Sequence, residues 1–177
     1  DLTVDEFRTR TEDIGVRWWF DTEVEIREPR FGPVITDSPL VNSARPNETI
    51  ALRWMGHQPS DEITSMLRMS QAQDFDGFRS ALDGFHVPGQ NMVYADAAGH
   101  IGQVMAVKLP DRSPVPPVDM LIPAETADGR DPWATTVTAG ALPAAFDPPS
   151  GFVASANNKP AEADVAVGWH FSNDDRI

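Results

Sequence analysis

Residues 88–103, PGQNMVYADAAGHIGQ, constrain the fold of this chain more than any other stretch. One apolar run ends at Tyr94, the chain then passes Asp96 and Gly99, and a second apolar run begins at Ile101. Two strand-like runs joined by a short turn that contains glycine predict a β-hairpin. Because neither run alternates strictly between apolar and polar residues, we expect both faces to be covered, as in the central layer of a sandwich.

The composition is that of a globular protein with one sizeable core. The chain has 177 residues, of which 41% are hydrophobic, and we predict a single domain over residues 1–177. A net charge of −13 argues against a nucleic-acid partner, because phosphate binding needs a basic surface. The absence of cysteine excludes disulfides, thiol catalysis and zinc–thiolate sites.

The sequence contains no apolar run of the roughly 18 residues that a membrane span requires, so no membrane partner is expected. The opening residues, DLTVDEFRTR, lack the apolar core of a signal peptide.

Several further elements are predicted from local patterns. Residues 3–14 are predicted to be a short helix, since Thr3 and Glu6 have the spacing of a capping box. Strict alternation predicts strands at Thr22–Glu28 and Thr49–Trp54. Two amphipathic helices are expected within residues 60–85, covering one face of a sheet.

The apolar stripes of these two helices are expected in the core. They comprise Ile63, Met66 and Leu67 in the first helix, and Phe75, Phe78, Leu82 and Phe85 in the second. The aromatic cluster Trp18–Phe20 is also interpreted as a core anchor, with ligand stacking as the alternative.

The stretch from Leu109 to Ala161 is rich in proline and predicts a long irregular connection, with a short strand at Phe152–Ala156.

No catalytic constellation is evident from the residues alone. The four histidines do not pair at metal-ligand spacing, and the chain has neither a nucleophile elbow nor a phosphate-binding loop. Asn157, followed by Asn158, could donate an amide N–H to a ligand oxygen, or could simply occupy a turn. Arg176 belongs to a charged cluster, and such a cluster is ordinarily interpreted as solvated surface.

Two blocks of sequence resemble the penicillin acylase family of N-terminal-nucleophile amidohydrolases. The first comprises Gln90-Asn91, Tyr94-Ala95-Asp96, Gly99, Ile101-Gly102 and Pro110-Asp111-Arg112. The second is residues 148–160, PPSGFVASANNKP. The short sequences at residues 31–36 and 51–54 also resemble the family, although Phe31 stands where a histidine is common in it.

The resemblance implies a fold and a site. The fold would be α+β, with an antiparallel sheet and helices on one face, as part of an αββα sandwich. In the family the first asparagine of the pair supplies its amide to the oxyanion hole, and an arginine lies near the amino group of the nucleophile. Those roles correspond to Asn157 and Arg176, whereas Asn158 corresponds to a structural or hydrogen-bonding position.

The resemblance also implies that the chain is an internal piece of a large chain. It covers residues 22–176 and includes no N-terminal serine nucleophile, so the piece alone is expected to be inactive. The expected partners are the small chain and the N-terminal part of the large chain of the same precursor. The substrate would be a small linear amide, either a penicillin side chain or an N-acyl homoserine lactone.

Cofactor and location are implied by the family only. No cofactor is required, but several members bind calcium, and Asp164 is a candidate carboxylate ligand in the full-length enzyme. A periplasmic or secreted location is implied.

The alternative is a non-catalytic binding or scaffold domain with the same layered fold. In that case Trp18, Trp19, Phe31 and Trp54 would contact a ligand or partner.

Overall fold

The structure is a computed structural model. It describes residues 7–30, 32–36, 38–41, 49–111 and 133–156. The chain divides into two compact units, residues 1–57 and residues 58–177. The single domain expected over residues 1–177 remains a prediction.

The first unit contains an antiparallel hairpin. Strand β1 (Arg8–Ile14) pairs along its length with β2 (Thr22–Glu28), with Arg8 opposite Glu28 and Ile14 opposite Thr22. The strand predicted at Thr22–Glu28 is therefore confirmed. The helix predicted for residues 3–14 is wrong over Arg8–Ile14, because each of these residues has a cross-strand partner and the alternating threonines suit a strand.

The aromatic cluster Trp18–Phe20 lies in the connection between β1 and β2. Trp18 is 87% exposed, Trp19 76% and Phe20 81%. The Trp19 N–H donates to the Val16 carbonyl at 3.0 Å, which closes a tight turn. The predicted core role is wrong in the described structure, because a hairpin turn directs its side chains away from the paired strands.

Residues 49–54 do not form the predicted regular strand. The pairing is limited to a single bridge between Val34 and Ala51. It is flanked by hydrogen bonds from the Ile35 N–H to the Ile50 carbonyl and from the Leu52 N–H to the Pro33 carbonyl, both at 2.8 Å. Proline has no N–H to donate, so it cannot extend this pairing as an ordinary strand residue would.

The second unit is built on the predicted hairpin. Strands β3 (Gln90–Ala95) and β4 (Ile101–Ala106) are antiparallel, with Tyr94 opposite Gly102. Strands β5 (Leu109–Pro110) and β6 (Thr136–Val137) form a separate small sheet. Strand β7 (Ala144–Phe146) pairs antiparallel with β4, which gives the order β3–β4–β7. The described part of the proline-rich stretch is thus less irregular than predicted.

Two helices precede the hairpin, as predicted. Helix α1 (Glu62–Ser70) begins after Asp61, whose carboxylate accepts the Thr64 N–H at 3.0 Å. Helix α2 (Phe75–Ala81) begins after Asp74, which accepts the Gly77 N–H at 2.8 Å. A short 3₁₀ turn, Leu82–Gly84, continues α2. Aspartate at these N-cap positions satisfies N–H groups that lack partners within the helix.

The core lies between α2 and one face of the hairpin. The buried cluster contains Phe75, Phe78, Leu82, Phe85, Tyr94, Val104, Ala106 and Ala139. The Phe75 and Tyr94 rings meet edge to face, with centroids 5.5 Å apart. On the other face of β4, Met105 packs with Leu142 in a second cluster. Both faces of β4 are therefore covered, whereas Val93 of β3 is 53% exposed.

The apolar stripe of α1 differs from its prediction. Ile63, Met66 and Leu67 are all exposed, and the buried residue of this helix is Ser65. Ser65 faces Gly84, where a Cβ would lie only 2.6 Å from the serine Oγ. The helix therefore packs through a small polar side chain next to a glycine, and its larger apolar residues face away. The core prediction is confirmed for α2 and wrong for α1.

The architecture is α+β, with antiparallel sheets and a helix on one face of the hairpin, as predicted. Neither helix in the described part of the chain has the length and apolar character needed to cross a membrane.

Candidate functional site

The two predicted site residues, Asn157 and Arg176, lie outside the described residues, as do Asn158 and Asp164. The structure does describe residues 147–156, the approach segment, which leads directly to Asn157. The contacts of this approach segment are therefore the described part of the candidate site.

Asp147 fixes the start of the approach segment. It follows β7 and has a φ of 43°, a left-handed conformation that aspartate tolerates better than most residues. Its N–H donates to the Ile101 carbonyl at 2.8 Å, and its Oδ1 accepts the Ile101 N–H at 3.0 Å. Its Oδ2 lies 2.6 Å from Nδ1 of His100. Three contacts thus attach this one residue to the first residue of β4 and to the turn before it.

The turn that presents His100 is itself held by Asp96. Oδ1 of Asp96 accepts the N–H groups of Ala98 at 2.9 Å and His100 at 3.0 Å, and Oδ2 accepts the Tyr94 hydroxyl at 2.9 Å. Gly99 has a φ of 94°, which explains why glycine stands there. The sequence Tyr94-Ala95-Asp96 and this glycine therefore build the hairpin turn.

The charges of this cluster support one another. The hydrogen bond to Asp147 raises the pKa of His100, and the negative charge of Asp147 adds to the effect. The Ile101 N–H, and then His100, lower the pKa of Asp147. Although desolvation opposes it, hydrogen bonds from the His100 N–H and from Tyr94 lower the pKa of Asp96. Desolvation, followed by the bond to Asp96, raises the pKa of Tyr94.

These pKa shifts favour a protonated histidine beside an ionised carboxylate. Such an ion pair anchors the chain and does not activate a nucleophile. Among the described residues no hydroxyl bonds to the ring of His100, so no Ser–His–Asp arrangement is assembled there. Sequence patterns missed Asp147, because its partners lie on a hairpin far away in the chain. The sequence did offer one indication of this role, because Asp147 stands between a short apolar run and two prolines.

A second anchor holds the chain just before β7. Oδ1 of Asp83 accepts the Thr138 hydroxyl at 2.8 Å and the Gly140 N–H at 2.7 Å. Arg79 donates to the carbonyls of Ala139, Gly140 and Leu142 at 2.9 to 3.2 Å. The end of α2 therefore positions residues 138–142, from which β7 begins.

The end of the approach segment is held by a side chain of β3. Residues 148–151 form a turn, with the Gly151 N–H donating to the Pro148 carbonyl at 2.9 Å. The strand predicted at Phe152–Ala156 is wrong, because these residues enter no β-ladder in the described structure. Instead, Nδ2 of Asn91 donates to Oγ of Ser155 at 3.1 Å. Ser155 is the second residue before Asn157.

Within the described ranges, no three histidine, aspartate or glutamate side chains gather closely enough to hold a metal ion.

Known proteins resemble this chain over most or all of its length. The family model described as penicillin amidase matches residues 1–177. Penicillin acylase 2 proenzyme from Pseudomonas sp. (strain SE83) is 30% identical over 151 residues, which cover 85% of this chain and 18% of that protein.

A solved structure of thermostable penicillin G acylase from Alcaligenes faecalis superposes with a TM-score of 0.64 at 26% identity. The match covers 93% of this chain and 29% of that one. The likeness confirms the predicted α+β fold of N-terminal-nucleophile hydrolases, and the chain spans less than a third of either relative.

Proposed function

This chain belongs to the penicillin amidase family, and we propose that it is part of the large chain of an amidase that hydrolyses linear amides. The proposal rests on the family match over residues 1–177, which takes in both sequence blocks and the Asn157-Asn158 pair. The anchored segment that leads to Asn157 supports it, because an oxyanion donor needs a fixed approach.

The proposed reaction passes through an acyl-enzyme. An N-terminal serine, contributed by the same precursor outside these residues, attacks the amide carbonyl while its own α-amine takes the hydroxyl proton. The carbonyl oxygen becomes an oxyanion, which accepts hydrogen bonds from the side-chain amide of Asn157 and from a backbone N–H. Collapse of this intermediate expels the amine, which receives the proton. Water then attacks the ester and releases the carboxylic acid.

We assign Arg176 to the surroundings of that α-amine. A guanidinium close to an amine disfavours the protonated amine, so it lowers the amine pKa and keeps the base neutral near pH 7. The same cation also interacts favourably with the developing oxyanion.

The names of the two relatives favour a penicillin side-chain amide as the substrate, with a long-chain N-acyl homoserine lactone as the other candidate. The remaining partners are the small chain and the N-terminal part of the large chain. The proenzyme relative is consistent with such a precursor. A periplasmic or secreted location, and a structural calcium bound in part by Asp164, stay proposals; no cofactor is required for the chemistry.

One observation favours the non-catalytic alternative of a binding or scaffold domain. Trp18 and Trp19 project from the first hairpin with 87% and 76% of their surface exposed, as residues that contact a ligand or partner would. Trp54 is half exposed as well, and Phe31 lies outside the described residues.

The test is amide hydrolysis by the full-length protein after its self-cleavage, with a chromogenic phenylacetyl anilide and a long-chain acyl homoserine lactone. We expect one of the two to be hydrolysed. Asn157→Ala should mature normally but lose about 10²- to 10³-fold in kcat, because one oxyanion donor is removed. Asn47→Ala, which removes an asparagine far from Asn157 in the sequence, is the matched control and should keep the parent rate.

The outcomes separate the parts of the proposal. A matured parent that hydrolyses neither substrate contradicts the amidase function and favours the binding domain. A parent that is active while Asn157→Ala equals it contradicts the oxyanion role alone.

A further inference from the structure

We propose that Asn91 is a positioning residue for Asn157 and acts through Ser155. The inference rests on the proposed function, because it concerns how the oxyanion donor is held. The contact that carries it is the hydrogen bond from Nδ2 of Asn91 to Oγ of Ser155, 3.1 Å long, between residues 64 positions apart in sequence.

Asn91 lies on a rigid support. It is the second residue of β3, where it pairs with Met105 of β4. Met105 is buried against Leu142, and its neighbours Val104 and Ala106 are completely buried. The backbone of Asn91 is therefore held by the core of the second unit, and its side chain is half-buried.

Ser155 lies beyond the end of β7, on a segment that forms no strand in the described structure. After Asp147 the chain makes the turn at residues 148–151, and Phe152 is 66% exposed. No β-ladder of the described structure includes residues 152–156. The Asn91–Ser155 bond therefore supplies a second point of attachment beyond Asp147, so the segment is tied to the sheet at both of its ends.

The second attachment matters because it lies close to the oxyanion donor. Asn157 comes two residues after Ser155, at most about 7 Å further along the chain. A catalytic donor must be held within about 0.5 Å of its productive position. A tether this close to Asn157 limits how far the approach segment can carry it.

The chemistry of the pair suits a tether. The asparagine amide donates one N–H to the serine oxygen and retains a second N–H and its carbonyl for other partners. The serine hydroxyl accepts this bond and can still donate its own proton. Alanine at either position removes the bond, whereas threonine at position 155 keeps the hydroxyl.

The first test measures the tether without reference to activity. Hydrogen exchange by mass spectrometry on the matured full-length protein should show about fivefold faster exchange in the peptide around residues 148–160 for both Asn91→Ala and Ser155→Ala. Peptides of β3 and β4 should not change. Gln90→Ala is the matched control, an exposed amide on the neighbouring position of the same strand. Ser155→Thr should match the parent.

The second test measures the consequence for catalysis. Asn91→Ala and Ser155→Ala should each lower kcat about five- to tenfold with KM within about twofold of the parent, since only the donor of the oxyanion moves. The double variant should be no slower than either single variant, because both remove the same bond. Ser155→Thr should restore the parent kcat.

Each result decides one part. Unchanged exchange around residues 148–160 in both alanine variants overturns the tether. Faster exchange with an unchanged kcat overturns the positioning of Asn157. If the matured parent hydrolyses no amide, the proposed function fails and the catalytic part of this inference fails with it, while the exchange result still decides whether the tether exists.

Discussion

Nδ1 of His100 lies 2.6 Å from Oδ2 of Asp147, although 47 residues separate them in sequence. The contact joins the turn of the central hairpin to the end of β7. Through Asp147 it fixes where the approach segment leaves the sheet. The same carboxylate accepts the Ile101 N–H, so this one side chain positions two neighbouring residues of the hairpin.

This ion pair should make local stability depend on pH. The pKa of His100 is raised above its ordinary value of 6.5, so its contribution is complete below pH 6.5 and is lost as the pH rises through the folded-state pKa. The pKa of Asp147 is lowered from 3.8, so its contribution is complete above pH 3.8 and is lost as the pH falls through the folded-state pKa. The pair is thus fully effective between these two values.

We expect the stability difference between parent and His100→Gln to be largest in that window and to shrink on both sides. Asp96 also faces His100 and favours its charged form, so it extends the effect toward higher pH. The measurement is the urea midpoint against pH for the full-length protein. His86→Gln serves as the control, and a difference that does not vary with pH would contradict the prediction.

Gly102 should not tolerate a side chain. A Cβ at this position would lie 2.4 Å from Cε2 of Phe75 and 2.9 Å from the carbonyl oxygen of Ala145. Gly102→Ala should therefore destabilise the protein by about 1–3 kcal/mol, as overpacked cores do. Urea unfolding of the full-length protein measures this.

Gly15→Ala is the matched control for Gly102→Ala, because the nearest atom to its added Cβ is 3.8 Å away. Equal stability of the two variants would show that the Phe75 ring can move aside.

Arg79 should not be replaceable by lysine. Its planar guanidinium donates to three carbonyls of residues 139–142, a fork that one ammonium group cannot reproduce. Arg79→Lys should cost about 2 kcal/mol, since hydrogen bonds to a charged donor are lost and partly buried carbonyls lose partners. Native-state hydrogen exchange of the 138–146 peptide reports this local loss.

Arg68→Lys on the exposed side of α1 is the control for Arg79→Lys and should exchange like the parent. If Arg79→Lys also exchanges like the parent, the fork does not hold this segment.

Elements governed by neighbours in sequence were predictable. The hairpin of β3 and β4, the strand Thr22–Glu28 and the burial of the α2 stripe all arise from patterns within a few residues. The family resemblance carried by the two sequence blocks is confirmed, because the family model matches residues 1–177. The described part of the first block builds the turn by short-range hydrogen bonds to Asp96.

Elements governed by distant partners were not predictable. Residues 8–14 form a strand because β2 pairs with them, although the capping-box spacing of Thr3 and Glu6 predicted a helix that continued through them. The apolar residues of α1 are exposed because Ser65 occupies its packed side next to Gly84. Residues 152–156 lack a partner strand in the described structure. Their apolar character alone was therefore not enough to form a strand.

The sequence by itself determined the family, the hairpin and the residue types at the predicted site, because local turn chemistry and short motifs are written along the chain. The roles of Asn157 and Arg176 are still predictions of that kind. Only the tertiary structure decided that Asp147 meets His100 and that Asn91 meets Ser155. Such contacts depend on which strands pair and in what register, and periodicity within one segment does not contain that information.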